Sequence, residues 1–187
     1  MAKTRAKAPP PDDGDALKLF FALWPDLETR NALAAWQRDL QKGRNARAMR
    51  PWTLHLTLVF LGVTPDDRLD AVKDAAAGVR GRAFDFALDT AGYWPHNHIV
   101  WAGCGSPPPP MLEFQATLAD RLKAAGFTLD ARPFHPHVTL LRNVRDAKGE
   151  LPQAIVPWSA REFVLVESQP MEDGSRYQTI AKFPLRQ

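Results

Sequence analysis

Two histidines stand in matching settings: His55-Leu56-Thr57-Leu58 recurs as His137-Val138-Thr139-Leu140. By ordinary residue frequencies a given histidine has on the order of one chance in a few hundred of being followed by x-Thr-Leu. Two such hits among five histidines are therefore a signal. Imidazole is the side chain that changes charge near neutral pH, and a threonine hydroxyl donates a hydrogen bond to an anion. Such a pair suits phosphodiester cleavage without a metal. One neutral histidine takes a proton from the attacking oxygen, and one protonated histidine delivers a proton to the leaving oxygen. Thr57 and Thr139 would hold nonbridging oxygens as charge develops there. Arg142 follows the second copy and could present a planar, forked guanidinium to the phosphate.

This chemistry needs elements that aim both motifs at one place. Side chains alternate between the faces of a strand, so His55 and Thr57 share one face, as do His137 and Thr139. Leu54, Leu56 and Leu58, with Val138 and Leu140, take the opposite face and can pack into a core. Two halves related by a pseudo-twofold axis would bring both His-x-Thr faces across one cleft. Arg142 breaks the parity: an ideal strand points it away from His137, so a bulge or strand end near Leu141 is required.

The rest of the chain supplies such elements. Residues 1–16 hold three basic and three acidic residues around Pro9-Pro10-Pro11, have little to bury, and are expected to be a disordered tail. Residues 17–187 are expected to form one bilobal catalytic domain. Strands are expected at about Leu17–Trp24, Leu54–Leu61, Phe84–Thr90, His98–Cys104, His135–Leu141, Glu162–Ser168 and Arg176–Phe183. Helices are expected from an Asp26 cap to about Gln41, over about Pro65–Val79 and over about Met111–Ala125. Gly105-Ser106 and the four prolines that follow form a connector near mid-chain.

Composition narrows the function classes. A net charge of +3 is too small to announce a nucleic-acid binder by itself. The single cysteine, Cys104, excludes an intramolecular disulfide and a cysteine-rich zinc site, and reads as a buried small hydrophobe. No Gly-x-Gly-x-x-Gly or phosphate-cradling glycine loop is present, so no nucleotide cofactor is expected. The apolar run at Leu17–Trp24 is interrupted by Lys18 and lacks a small-residue cleavage site. No segment is long enough to span a membrane, and a cytoplasmic setting is expected.

At these motifs the sequence resembles the two-histidine phosphoesterase superfamily, and within it the bacterial RNA 2',3'-cyclic phosphodiesterases, also called 2'-5' RNA ligases. The resemblance covers about residues 17 to 187. It rests on Leu-Phe-Phe-Ala-Leu-Trp-Pro at 19–25, Leu-His-Leu-Thr-Leu-Val-Phe-Leu-Gly at 54–62 and Arg-Pro-Phe-His-Pro-His-Val-Thr-Leu-Leu-Arg at 132–142. Leu-Val-Glu-Ser at 165–168, Arg176-Tyr177 and Phe183-Pro184-Leu185 resemble the family's closing hairpin.

The resemblance implies an α+β, bilobal fold with two pseudo-symmetric antiparallel-sheet lobes flanked by helices around a central cleft. It implies metal-independent hydrolysis of RNA or nucleoside 2',3'-cyclic phosphates to 2'-phosphomonoesters, with weak reversible 2'-5' RNA ligation. His55 is then the proton donor, His137 the proton acceptor, and Thr57, Thr139 and Arg142 line the phosphate site. The expected partners are RNA with 2',3'-cyclic ends or small cyclic nucleotides, with no cofactor, no membrane and a monomeric chain. The sequence departs from the family at Thr53, where Asn is common, and at Leu141, where a small residue is common. Neither departure touches the catalytic pair, and both could alter the substrate pocket.

Several residues carry blander readings. Phe60 and Phe134 could stack on a base, with core packing the equal alternative. Trp52, Trp94, Trp101 and Trp158 read most simply as core or rim. His96 reads as a turn residue, and His135 as lying at the cleft's edge. Two other functions compete. His96-x-His98 and His135-x-His137 each place two imidazoles on one strand face, as a metallohydrolase would need, but no carboxylate lies within either motif and the repeated threonine would go unexplained. A noncatalytic RNA-binding module would need the groove without both histidines.

Overall fold

The computed structural model describes residues 16–145, 147, 149–172 and 174–186. Residues 1–15 of the expected tail lie outside them, and Ala16 already opens the first strand, β1 (Ala16–Leu23). Leu19 to Leu23 are all buried because both faces of β1 are covered. Leu19, Phe21 and Leu23 enter the main core, while Phe20 and Ala22 pack with Val164 and Val166 on the other side. Asp26 caps α1 (Leu27–Gln41) by accepting the Thr29 amide at 2.8 Å, and Leu33, Trp36 and Leu40 form its buried stripe.

A two-residue strand β2 (Arg47–Ala48) precedes β3 (Leu56–Pro65), which is longer than the sequence indicates. Ala16 pairs with Pro65, and a proline holds the residue before it extended, so Thr64 stays in the strand. The expected helix over Pro65–Val79 is therefore shortened to a 3-10 turn at Asp66–Arg68 and α2 (Leu69–Ala77).

The chain continues through β4 (Phe84–Leu88), β5 (Thr90–Trp94), β6 (Ile99–Gly103) and α3 (Pro109–Ala124), whose first turn tolerates Pro109 and Pro110. Then come β7 (His137–Arg142), β8 (Val156–Ala160), β9 (Glu162–Met171) and β10 (Gly174–Pro184). Two of these strands carry no clear sequence pattern. The β5 segment, Thr-Ala-Gly-Tyr-Trp, has no apolar alternation, and a Cβ on Gly92 would meet the Trp101 indole at 2.1 Å. In β8, Pro157 argues against a strand, yet among the described residues β8 pairs only with β4, where a proline is tolerated.

The fold is α+β with antiparallel sheets. Strands β10-β9-β1-β3 form one arm, β7-β6-β5 with β2 beside β7 form the other, and β4-β8 stand apart. Among the described residues, the ladder joining the arms is the antiparallel pair Leu56 with Val138. Each arm draws on both sequence halves: β9 and β10 join β1 and β3, while β5 and β6 join β7. The Pro-rich connector thus does not divide the lobes; it leads from β6 into α3, and the chain returns to β6 as β7. Among the described residues, no helix is long and apolar enough to cross a membrane.

Candidate active site

The pair joining the arms fixes where the two motifs meet. With Leu56 opposite Val138 in antiparallel sense, the flanking positions fall as His55 opposite Thr139 and Thr57 opposite His137. Each motif therefore faces the other's partner residue. All four side chains, with Arg142, line one cleft of about 600 Å³. Leu56, Val138 and Leu140 are buried in the core, as alternation demands, and Leu58 is buried there too while bordering the cleft.

Both imidazoles are held in the same way. His55 Nδ1 lies 2.7 Å from the Thr53 carbonyl, and His137 Nδ1 lies 2.7 Å from the His135 carbonyl. A carbonyl only accepts, so each Nδ1 carries the hydrogen and each Nε2 is left for proton transfer. The common asparagine of the family is replaced at Thr53 without loss of this anchor, because the backbone carbonyl makes it. The Thr53 hydroxyl donates to the Arg50 carbonyl at 2.7 Å.

Aromatic rings fix the ring planes. Trp24 stacks on His55 at 5.2 Å with an interplanar angle of 6°, and Phe20 and Tyr177 close two further sides at 4.9 and 5.1 Å. In the other lobe Trp94 meets His137 edge-on at 4.6 Å and also contacts His135 and Trp101. Trp94 thus belongs to the site, not merely to the core or rim. Trp158 is buried in the core, and Trp52 is 61% exposed. Phe20, Trp24 and Tyr177 are scattered over the chain, and no spacing in the sequence ties them to His55.

The parity of Arg142 is resolved by a bulge. β6 pairs Trp101 with Thr139 but Val100 with Leu141, leaving Leu140 as the extra residue. Leu140 and Leu141 are both buried, and Arg142 returns to the cleft face with His137 and Thr139. Asn143, with φ of 60°, then ends the strand, and Val144 drops into the core. Leu141, the second departure from the family pattern, is buried in the core and is not among the residues that line the cleft.

A family model described as the 2'-5' RNA ligase superfamily matches residues 25–169. The chain belongs to this superfamily. A relative named RNA 2',3'-cyclic phosphodiesterase from Escherichia coli (strain K12) is 31% identical over 172 residues, spanning 91% of this chain and 97% of its own. A relative of the same name from Thermus thermophilus is 30% identical over 186 residues, spanning 91% of each chain. The crystal structure of E. coli LigT complexed with 3'-AMP superposes with a TM-score of 0.85 at 30% identity, covering 92% of this chain and 100% of that one.

In this superfamily member, burial pushes the His55 imidazole down from 6.5 to about 4. The Thr53 carbonyl opposes that fall, and the charges of His137 and Arg142 add to it. His137 is lowered as well, again first by burial, with the His135 carbonyl opposing and the His135 and Arg142 charges adding. Arg142 acts on both rings, consistent with its place in the cleft that both line. With the cleft free, burial and the neighbouring positive charges thus favour the neutral form of both rings, and a bound anion would act in the opposite sense.

The remaining expected residues occupy the mouth. Phe60 is 48% exposed and lines the cleft with Lys18 Nζ 5.8 Å from its ring centroid, whereas Phe134 both lines the cleft and packs against the core. His96 and His135 also line it, both exposed. His98 turns to Tyr93, its Nδ1 3.2 Å from the phenolic oxygen, which itself donates to the Val144 carbonyl at 2.8 Å. Among the described residues, no three His, Cys, Asp or Glu side chains come together as a metal-binding group. Cys104 is only partly buried, packed against the core's edge.

Proposed function

We propose that this protein hydrolyses the 2',3'-cyclic phosphate at RNA ends, or of small cyclic nucleotides, to a 2'-phosphomonoester. The carrying observation is the matched pair of imidazoles, each anchored through Nδ1 to a backbone carbonyl with Nε2 left for the cleft. Water attacks phosphorus and gives its proton to His137 Nε2. The bond from phosphorus to the 3' oxygen breaks, and His55 Nε2 delivers the proton that makes a 3' hydroxyl. Thr57, Thr139 and Arg142 bind the nonbridging oxygens, and Phe60 and Phe134 offer faces to a base. The acid and base roles follow the family resemblance; the pseudo-twofold site by itself admits either order. With a ribose 5' hydroxyl in place of water, the same path, attack on phosphorus with departure of the 3' oxygen, gives weak 2'-5' ligation, and its reverse re-forms the cyclic phosphate.

One chain supplies both histidines and every phosphate ligand, so a monomer suffices. An RNA-end substrate suits a cytoplasmic enzyme. The test is incubation of a 2',3'-cyclic-ended oligonucleotide with protein exhaustively treated with EDTA. Full turnover with a 2'-phosphate product is expected, since acid, base and anion donors are all side chains. Loss of activity restored by zinc or manganese favours the metallohydrolase, and binding without turnover favours the RNA-binding module.

The depressed histidines set a pH signature. Because kcat/KM reports the free enzyme, where both rings titrate below 6.5, its bell is centred on the acid side of 6.5. A bound phosphate anion stabilises imidazolium and raises both values, so the bell for kcat lies at higher pH. Coincident bells would show that the anion does not face the rings.

A further inference from the structure

The two motifs share more than the histidine and threonine. In β3, Phe21 pairs with Val59 and Ala22 with Thr57, so Leu58 is an extra residue just as Leu140 is in β7. Leu58 and Val59 are both buried, and Phe60 returns to the cleft as Arg142 does. Phe60 is thus the pseudo-symmetric counterpart of Arg142: one bulge delivers an aromatic ring, the other a guanidinium.

Each bulge is held from behind by a glutamine. Gln37 on α1 donates through Nε2 to the Leu140 carbonyl at 2.7 Å and to the Met49 carbonyl at 2.9 Å. Met49 in turn donates its amide to the Leu140 carbonyl at 2.9 Å, so the amide group clamps the bulge to the segment after β2. Gln115 on α3 donates through Nε2 to the Leu58 carbonyl at 3.1 Å. Gln37 is 5% exposed on the face that buries Leu33, Trp36 and Leu40, and Gln115 neighbours the buried Phe114 and Leu118 on α3. An amide at an apolar helix face costs desolvation and is retained where its bonds are needed.

We propose that Gln37 and Gln115 are positioning residues that hold the two bulges open, so that Arg142 and Phe60 point into the cleft. Without a bulge, strand alternation turns the residue after the apolar doublet to the opposite face. The inference deepens the phosphodiesterase reading and, for its kinetic test, rests on it.

The test is a pair of double-mutant cycles on a 2',3'-cyclic-ended oligonucleotide. Met matches the length of Gln without a donor. Gln37→Met lowers kcat/KM on the order of 10-fold, but costs less than about twofold in an Arg142→Ala background, because the residue it aims is already gone. Its cost is undiminished in a Phe60→Ala background. Gln115→Met shows the reverse coupling, erased by Phe60→Ala and not by Arg142→Ala. Losses that are additive in all four combinations overturn the proposal, since a merely structural glutamine does not distinguish its partners. If Gln37→Met fails to fold, the Gln115 cycle decides. If the wild-type protein does not turn over the oligonucleotide, the phosphodiesterase reading fails, and a crystal structure of Gln115→Met still judges this one. Phe60 leaving the cleft face supports it, and an intact bulge with Phe60 in place overturns it.

Discussion

Replacing either His55 or His137 by alanine lowers kcat on a 2',3'-cyclic-ended oligonucleotide by on the order of 10²–10⁴-fold, with KM little changed. The split follows from geometry. Each ring is tied back through Nδ1 and offers only Nε2 to the cleft, while Thr57, Thr139 and Arg142 remain to bind the anion. The double variant should be scarcely slower than the slower single one, because donor and acceptor act in one proton circuit and removing either breaks it. Folding should survive. His55 and His137 are only partly buried, and their pKa values are already depressed, so neither ring contributes a favourable buried charge at pH 7. Multiplicative losses, or a loss confined to KM, would mean that the rings bind phosphate rather than move protons.

The second large effect is expected at Arg142. Arg142→Lys keeps the charge but lowers kcat/KM on the order of 10-fold, since an ammonium cannot make a planar two-point contact with phosphate; Arg142→Ala costs on the order of 10²-fold. The alanine replacement should relieve part of the depression of both histidines, because the Arg142 charge contributes to lowering each. The acidic limb of the kcat/KM profile then moves to higher pH in Arg142→Ala and stays in place in Arg142→Lys. Unchanged kinetics in Arg142→Lys would place the guanidinium away from the phosphate.

Whether a feature is legible in the sequence depends on whether local pattern or distant packing decides it. The histidine and threonine positions can be read directly, because polar residues repeated at period two inside apolar strands must share one face and leave the core to their neighbours. The orientation of Arg142 can be posed only as a difficulty. Its answer is nonetheless encoded: Leu58-Val59 and Leu140-Leu141 are apolar doublets at the same distance after each histidine, and a doublet that breaks strict alternation is what a bulge with a two-sided core requires. The rings around His55 cannot be found this way. Phe20 and Trp24 come from β1 and its end and Tyr177 from β10, brought together by strand pairings of long sequence separation. The lobes fail to follow the sequential halves for the same reason, since nothing local in β9 and β10 says that they pair back to β1. Gln37 and Gln115 read as ordinary helix residues until their acceptors are known.

The most direct test of the division of labour is a substrate whose 3' leaving oxygen is replaced by sulfur, which departs readily without a proton. His55→Ala should regain much of its lost rate on this substrate, because the step it serves no longer needs an acid. His137→Ala should stay slow, because water must still be deprotonated. Rescue of His137→Ala alone would reverse the two roles, and rescue of neither would contradict the two-histidine mechanism itself.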